Sequence, residues 1–352
     1  MSEKTNPGNY FEDFWIGQEL VHATPRTVTE GDVSLYTALY GSRFAVQSSD
    51  VFAGDLGLAG APVDDLLVFH LVFGKTVPEV SLNAVANLGY AGGVFGAPVY
   101  PGDTLSTTSK VIGLKENSNG KTGVVYVRSV GTNQSGEMVL DYVRWVMVRK
   151  GNADAPAPDP VAPELPGAVA AADLVVPAGL DLAAYDTAAA GSPYLWNDYE
   201  AGERIDHLDG MTIEEAEHML ATRLYQNTAK VHFDQFAADG RRFKRRLIYG
   251  GHIISLARAL SFNGLANAFK VAAINGGAHI NPTFAGDTIY AWSEVQECMN
   301  IPGRDDAGAL RLRTVAIKDR PSADHPDQTD VGKNDESVVL DFDYTVLMPR
   351  RA

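Results

Sequence analysis

Two short stretches of this chain share a shape and differ in chemistry. Leu224 to Ala237 reads LYQNTAKVHFDQFA and carries Asn227 and His232. Leu39 to Ala53 reads LYGSRFAVQSSDVFA and has Ser42 and Gln47 at those places. Histidine has an unperturbed pKa close to neutrality, so His232 can both take and give a proton. An amide such as Asn227 cannot trade protons, but it can hold a water or orient an imidazole. A lone histidine at a helix end is an ordinary polar residue. Its absence from one of two matching segments is what marks it.

A second stretch offers a different kind of chemistry. Orphan N–H groups at a helix N-terminus, aided by the helix dipole, can stabilise a developing oxyanion. LIYGGHIISLA, from Leu247 to Ala257, has the form of such a helix start. Gly250 and Gly251 are expected to let a ligand approach the backbone, flanked by Tyr249 and His252. The matching stretch APVDDLLVF has Asp64 and Asp65 instead. Carboxylates there would oppose an oxyanion and are expected to cap the helix. Both comparisons point to one site per chain. Just ahead of the glycines, GRRFKRRL gathers Arg241, Arg242, Lys244, Arg245 and Arg246. Arginines suit phosphate recognition, although any one of them could equally be a solvated surface residue.

The elements that must position these residues come from an internal repeat, sought before any other signal. FEDFWIGQEL from Phe11 matches WNDYEAGERI from Trp196, and TVTEGD from Thr27 matches TIEEAE from Thr212. PVYPGDTLSTTSKV from Pro98 matches PTFAGDTIYAWSEV from Pro282, and VLDYVRWVMV from Val139 matches VLDFDYTVLM from Val339. Several blocks in one order indicate a duplicated domain. The units are residues 1–150, an Ala/Pro-rich linker over 151–190, and residues 191–352, which carry the candidate site. The stretch from Gly151 to Gly179 is expected to be a semi-rigid extended spacer without helix. The loop from Asp319 to Glu336 is expected to be a solvated excursion.

In each copy a helix is expected near TEGDVSLYTALYG or IEEAEHMLATRLYQ. A longer apolar helix follows at DDLLVFHLVFGK or GHIISLARALSF. Three strands come next, marked by alternation of apolar and polar residues. They begin at TLSTTSKVIGL, GKTGVVYVRSVGTN and MVLDYVRWVMVRK in the first copy, and the "GDT" turns at Gly102 and Gly286 start the sheet in both. One long helix on an antiparallel sheet is an α+β layer. The copies are expected to join sheet to sheet, because an open edge strand invites pairing.

Composition narrows the function classes. The chain has 352 residues, 45% of them hydrophobic and 21% charged, which suits about two globular cores. A formal net charge of −15 repels phosphate backbones, so nucleic acid is not an expected partner. Cys298 is the single cysteine, which excludes an intrachain disulfide and a Cys-rich zinc site. No apolar signal core and no apolar run of membrane-spanning length occurs, so a cytoplasmic protein with no membrane partner is expected. The chain has no G-x-S-x-G, P-loop, C-x-x-C or H-E-x-x-H motif. The glycines of LGYAGG and GGVFGAP do not fit a dinucleotide or phosphate loop. No metal or redox cofactor is expected.

TEGD…LYG…A, the apolar central helix and P-x-x-x-GDT resemble the MaoC-like dehydratases of the hotdog fold. The resemblance covers nearly the whole chain outside the linker. It implies a tandem double hotdog, each unit a long central helix wrapped by an antiparallel sheet, with a homodimer or higher homo-oligomer as the assembly. Three further blocks, NPGNYFEDFWIGQELVHATPRTVTEGD, LYGSRFAVQSSD and GLKENSNGKTGVVYVR, resemble the mesaconyl-CoA hydratase branch of that family. That branch implies reversible hydration of mesaconyl-CoA to β-methylmalyl-CoA, with the CoA thioester as substrate and no added cofactor.

The family's Asp-x-Asn-Pro-x-His pattern, or its Asn-initiated variant, falls on NTAKVHF. Asn227 and His232 then match its end positions as catalytic residues, and Thr228 departs from the usual Pro. The family's His-Gly falls on Gly250-Gly251, which implies that the Gly251 amide faces the thioester carbonyl. The resemblance also implies roles for Tyr249, His252, Arg241 and Arg245 in holding the CoA ester. The free carboxylate of mesaconyl could pair with Lys230 or Arg223. Two other readings stay open on the residues alone. One is a general (R)-specific enoyl-CoA hydratase, and the other is a non-catalytic thioester-binding protein.

Overall fold

The computed structural model of this chain describes residues 4–240, 242–324 and 335–351. The first half runs β1 (Glu19–Thr27), α1 (Glu30–Tyr40), the short α2 (Ala45–Ser48) and α3 (Asp50–Asp55), and the long α4 (Asp65–Thr76). Strands β2 (Ala84–Phe95), β3 (Thr104–Glu116), β4 (Thr122–Thr132) and β5 (Met138–Arg149) follow. After α5 (Thr187–Ala190) the order returns as β6 (Arg204–Thr212), α6 (Glu215–Leu224), α7 (Gln235–Asp239), α8 (Gly250–Leu260) and the short α9 (Phe262–Leu265). Strands β7 (Lys270–His279), β8 (Thr288–Asn300), β9 (Ala307–Lys318) and β10 (Val338–Pro349) complete it.

Local sequence explains the key helices. Thr29 and Asp32 form a reciprocal capping box at the start of α1, and Gly41 at φ +62° ends the helix. From Leu66 to Thr76 every residue of α4 is buried, and α8 is buried from Gly251 to Arg258. Helices apolar on all sides belong inside a core. Here α4 packs on β3, β1 and β5, and α8 packs on β8, β6 and β10.

The ten strands form one antiparallel sheet in the order β1-β3-β4-β5-β2-β7-β10-β9-β8-β6. The two halves mirror one another in that order and meet through β2 and β7, where Ala91 faces Gly276. Residues related by the repeat also meet across the seam. The hydroxyls of Tyr40 and Tyr225, 185 residues apart, lie 2.6 Å apart. His70 Nε2 and Ser255 Oγ, at the same separation, lie 2.8 Å apart. Such self-pairings place a pseudo-twofold axis between α1, α4, α6 and α8. The fold is α+β, two long helices wrapped by one sheet, and one large apolar cluster with Val28, Tyr90, Leu256 and Val346 runs through both halves.

Four strands escape the sequence reading: β1, β2, β6 and β7. β2 is AVANLGYAGGVF, too rich in Gly and Ala to alternate. Its glycines answer to neighbours: a side chain on Gly89 would meet the Trp145 ring at 2.3 Å, and one on Gly93 would meet Ile274 at 2.9 Å. The linker is also more than a spacer. It holds a 3-10 turn at Ala171–Asp173, pairs Val161 with Leu114, and buries Val169, Leu174, Leu180 and Leu182 against both halves, Leu56 and Phe269 among them. Most of the expected excursion from Asp319 to Glu336, residues 325–334, lies outside the described residues.

Candidate active site

α6 ends in a tight loop that places both expected catalytic side chains. Gln226 adopts φ +53°, which turns the chain off the helix axis. The Asn227 side-chain oxygen then accepts from Ala229 N at 3.0 Å. This is an Asx-type turn, a geometry that Asn and Asp serve alike. Three residues later a 3-10 turn, Lys230–His232, brings the imidazole in. His232 Nδ1 lies 2.9 Å from the Leu247 carbonyl, and Leu247 N donates back to Val231 O at 3.0 Å. A carbonyl can only accept, so Nδ1 carries the hydrogen and Nε2 is the lone-pair nitrogen of the neutral ring.

The start of α8 stands opposite. Tyr249 is its N-cap, and the Tyr249 N–H donates to His218 Nε2 at 2.9 Å. The Tyr249 ring is 5.6 Å from that of His232 and 5.6 Å from that of His70, a residue of the first half. Gly250 and Gly251 occupy the first turn, where amides have no intrahelical acceptor. The space their missing side chains leave is taken by protein rather than left open for a ligand. A Cβ on Gly250 would sit 2.4 Å from the His279 ring. One on Gly251 would sit 2.4 Å from the Tyr249 ring and 2.6 Å from His70. On that side the two glycines admit aromatic rings.

Burial sets the protonation of the surrounding imidazoles. It is the first cause in each case, driving His218 down to about 2, His252 to about 3 and His279 to about 4. It also holds His70 well below the usual range, with His252 as a second cause. The field of His252 adds to the shift of His218, and the field of His232 adds to that of His279. These four rings are neutral at pH 7 and act as hydrogen-bond partners, since desolvation opposes their charging. His232, half-buried at the loop, differs from them in exposure.

The structure brings His232, Tyr249, Gly250 and Gly251 together and distributes the other expected residues differently. His252 is 1% exposed and turns inward, its Nδ1 2.8 Å from the Tyr40 hydroxyl. Lys230 is exposed on the same 3-10 turn as His232, and Arg223 is exposed on α6. Arg245 donates to Ala285 O at 2.6 Å and lies 5.0 Å over the Phe284 ring. Arg242 lies over Phe243, and Arg246 pairs with Glu215 at 2.8 Å. Arg241 lies outside the described residues. Sequence reasoning missed His218, His279, His70 and Tyr90, whose hydroxyl is 3.4 Å from His279 Nε2. A signal was available for His218, because the first copy has Val33 at that place.

The corresponding place in the first half is filled from within. Ser42 and Gln47 do converge on one small cleft, together with Asp64. Gln47 Nε2, however, donates to Phe269 O at 2.5 Å. Asp64 caps α4 by accepting from Leu66 N, and burial followed by the neighbouring Asp65 pushes its carboxyl up to about 6. Asp65 accepts from Lys270 Nζ at 2.8 Å and from Val271 N at 2.9 Å. Two carboxylates at a helix N-terminus oppose a developing oxyanion there. Among the described residues no group of three His, Cys, Asp or Glu side chains could hold a metal ion, and no helix is long and apolar enough to cross a membrane.

Comparisons with known proteins agree with this architecture. A family described as mesaconyl-CoA hydratase matches residues 1–326. The chain is 70% identical over 351 residues to the β-methylmalyl-CoA dehydratase of Chloroflexus aurantiacus, covering 100% of both. It is 60% identical over 349 residues to the mesaconyl-CoA hydratase of Cereibacter sphaeroides, covering 99% of this chain and 100% of that one. A crystal structure of a MaoC domain protein dehydratase from Chloroflexus aurantiacus superimposes with a TM-score of 0.97 at 69% identity, over 100% of both chains. A Mycobacterium tuberculosis protein with a double hotdog fold matches with a TM-score of 0.76 at 26% identity, over 97% of this chain and 99% of that one.

Proposed function

This chain belongs to the mesaconyl-CoA hydratase family, and from that premise we propose that it is a hydro-lyase that hydrates mesaconyl-CoA reversibly to β-methylmalyl-CoA. His232 Nε2 takes a proton from water as the oxygen adds to the β-carbon. Electron density moves onto the thioester oxygen, which the first-turn amides of Gly250 and Gly251 receive. The imidazolium then returns its proton to the α-carbon, which restores the neutral ring. Asn227 positions the water. Arg241, Arg245 and their basic neighbours hold the CoA phosphates, and Lys230, exposed on the same turn as His232, pairs with the substrate's charged end. The scheme needs no metal or redox group, because the thioester supplies the electron sink.

The observation that carries this reading is the tautomer of His232. Its Nδ1 lies 2.9 Å from the Leu247 carbonyl, which assigns the hydrogen to Nδ1 and the lone pair to Nε2, and its ring is 5.6 Å from that of Tyr249 at the start of α8. The test is the loss of enoyl-thioester absorbance on adding the purified chain. Turnover of mesaconyl-CoA and little of crotonyl-CoA is the expected result. Turnover of crotonyl-CoA alone would make the chain a general enoyl-CoA hydratase. Silence with both would leave a thioester-binding protein.

A further inference from the structure

One cation of the core has no anionic partner. Arg144 lies on β5, opposite Tyr90 of β2, and is 1% exposed. Its Nη2 donates to the Thr76 hydroxyl at 2.6 Å and to the Ser81 hydroxyl at 3.3 Å, and its guanidinium stacks 4.2 Å from the centre of the Phe73 ring. Among the described residues no carboxylate lies within 4.0 Å of it. Glu79, on the segment that carries Ser81, is taken up by His22 at 2.9 Å. Arg144 Nε has no hydrogen-bond partner, and the Tyr142 hydroxyl, two residues along the same strand face, lies near the Ser129 and Thr76 hydroxyls. A buried guanidinium with idle donors and no counter-charge is costly unless something supplies the anion.

Phe73 is 5.6 Å from the Tyr249 ring, whose neighbours also include the His232 ring at 5.6 Å. Tyr90 reaches from beside Arg144 to His279, which packs on Gly250. The Arg144 charge is felt by the hydroxyls of Tyr90, Tyr142 and Tyr249 alike. A polar strip thus leads from the start of α8 to the guanidinium.

The repeat supplies the contrast. The buried arginine beside the silent site is Arg258, the counterpart of Phe73, and it lies in the field of Asp64 and Asp65. At the other site those two positions are Tyr249 and Gly250. That site lacks the two carboxylates, and its buried arginine, Arg144, comes from a different place in the repeat, where the second copy has Tyr344.

We propose that Arg144, assisted by the Tyr90 and Tyr142 hydroxyls, binds the free carboxylate of a dicarboxylic half-thioester, so that the first half selects the substrate on which the second half acts. This rests on the hydration reading given above. A guanidinium suits a carboxylate through its paired donors, and a site built around an unpaired buried donor rejects substrates that leave it unpaired. The first half then contributes specificity despite having lost Asn and His at its own loop.

The test compares wild type with Arg144→Gln, and with Tyr90→Phe as a milder variant that removes only a hydroxyl. Two quantities are measured on protein shown to be folded by its Tm. One is the preference for mesaconyl-CoA over crotonyl-CoA in kcat/KM. The other is the preference in equilibrium binding for succinyl-CoA over butyryl-CoA, which needs no turnover. Arg144→Gln should lower both preferences by roughly 10²-fold, mainly through KM and Kd, and Tyr90→Phe should lower them less. A parallel loss with charged and neutral esters would assign Arg144 to the fold alone and overturn the proposal. So would a wild type with no preference for succinyl-CoA. If wild type prefers succinyl-CoA through Arg144 yet never hydrates mesaconyl-CoA, the carboxylate site stands and the hydration reading fails. If Arg144→Gln does not fold, Tyr90→Phe with unchanged preferences overturns the proposal.

Discussion

Replacing Gly251 with alanine tests the packing and the chemistry of the α8 start together. The new methyl would lie 2.4 Å from Tyr249 and 2.6 Å from His70. Carbon atoms rest at about 3.5–4.0 Å, so the Tyr249 ring must retreat by about 1 Å. It has little room, with Phe73 and His232 each 5.6 Å away and Tyr225 at 6.1 Å. Overpacking of this kind costs about 1–3 kcal/mol. Relief by shifting the helix start instead would move the Gly250 and Gly251 amides off the oxyanion. Losing one such donor costs about 10²–10³ in kcat. Gly54→Ala is the control, because nothing lies within 4 Å of a side chain there. Calorimetry and initial rates with mesaconyl-CoA, on the same preparations, give both quantities. Gly251→Ala should lower Tm and kcat while Gly54→Ala changes neither. Wild-type Tm and kcat in Gly251→Ala would refute the packing argument. A lowered Tm with wild-type kcat would remove these amides from the mechanism.

The remaining predictions are shorter. His232→Ala should lower kcat by about 10²–10⁴ with Tm near wild type, whereas a structural role predicts the reverse, read from the same two measurements. Ser42→Ala and Gln47→Ala should leave the rate within a few-fold, and a loss beyond about 10²-fold would move the active site to the first half. Acid should destabilise the fold steeply. His218, His252, His207 and His279 have native pKa values pushed down to about 2, 3, 4 and 4, against 6.5 when unfolded. Their contribution is full above pH 6.5 and is lost as pH falls below it, because only the unfolded chain takes up those protons. Asp64, pushed up from 3.8 to about 6, opposes this with one proton between those values. These five groups alone give a net uptake of about three protons on unfolding near pH 5, a slope on the order of 4 kcal/mol per pH unit, to which His70 adds in the same direction. Urea unfolding followed from pH 7 to pH 5 measures it, and a flat profile would contradict the buried neutral histidines.

Much of this was legible in the sequence because a duplication carries its own control. The long helices α4 and α8 and the strands β3, β4 and β5 follow from apolar runs and alternation. Asp64 was readable as a cap because an acid before an apolar run has that local use. β2 and β7 were not readable, since their glycines reflect side chains of neighbouring strands, Trp145 and Ile274 against β2 and Phe342 against β7, rather than any local pattern. His279 and Arg144 were likewise hidden. One sits on a glycine-rich strand and the other within an ordinary alternating one, and only the sheet register brings them near α8. His252 shows the opposite limit. Its place beside the glycines suggested contact with substrate, but helical rotation points it at Tyr40.

The histidines that both copies keep do different work from those only one copy has. His22 and His207 are matched, and each sends Nε2 to a serine of the adjacent strand, Ser109 or Ser293, at 2.8 Å. Those serines in turn bond Ser129 and Thr314, each at 2.7 Å. A residue that both halves retain in the same bonds is explained by the fold. His218, His232 and His252 stand where the first copy has Val33, Gln47 and Leu67, so the fold alone does not require them. They gather at the start of α8, and the ring that closes over Gly251 there is held by His70 of the other half. One asymmetric site therefore draws on both copies. The silent half cannot be discarded, because removing it would take away His70, Phe73 and the β2 edge to which β7 pairs.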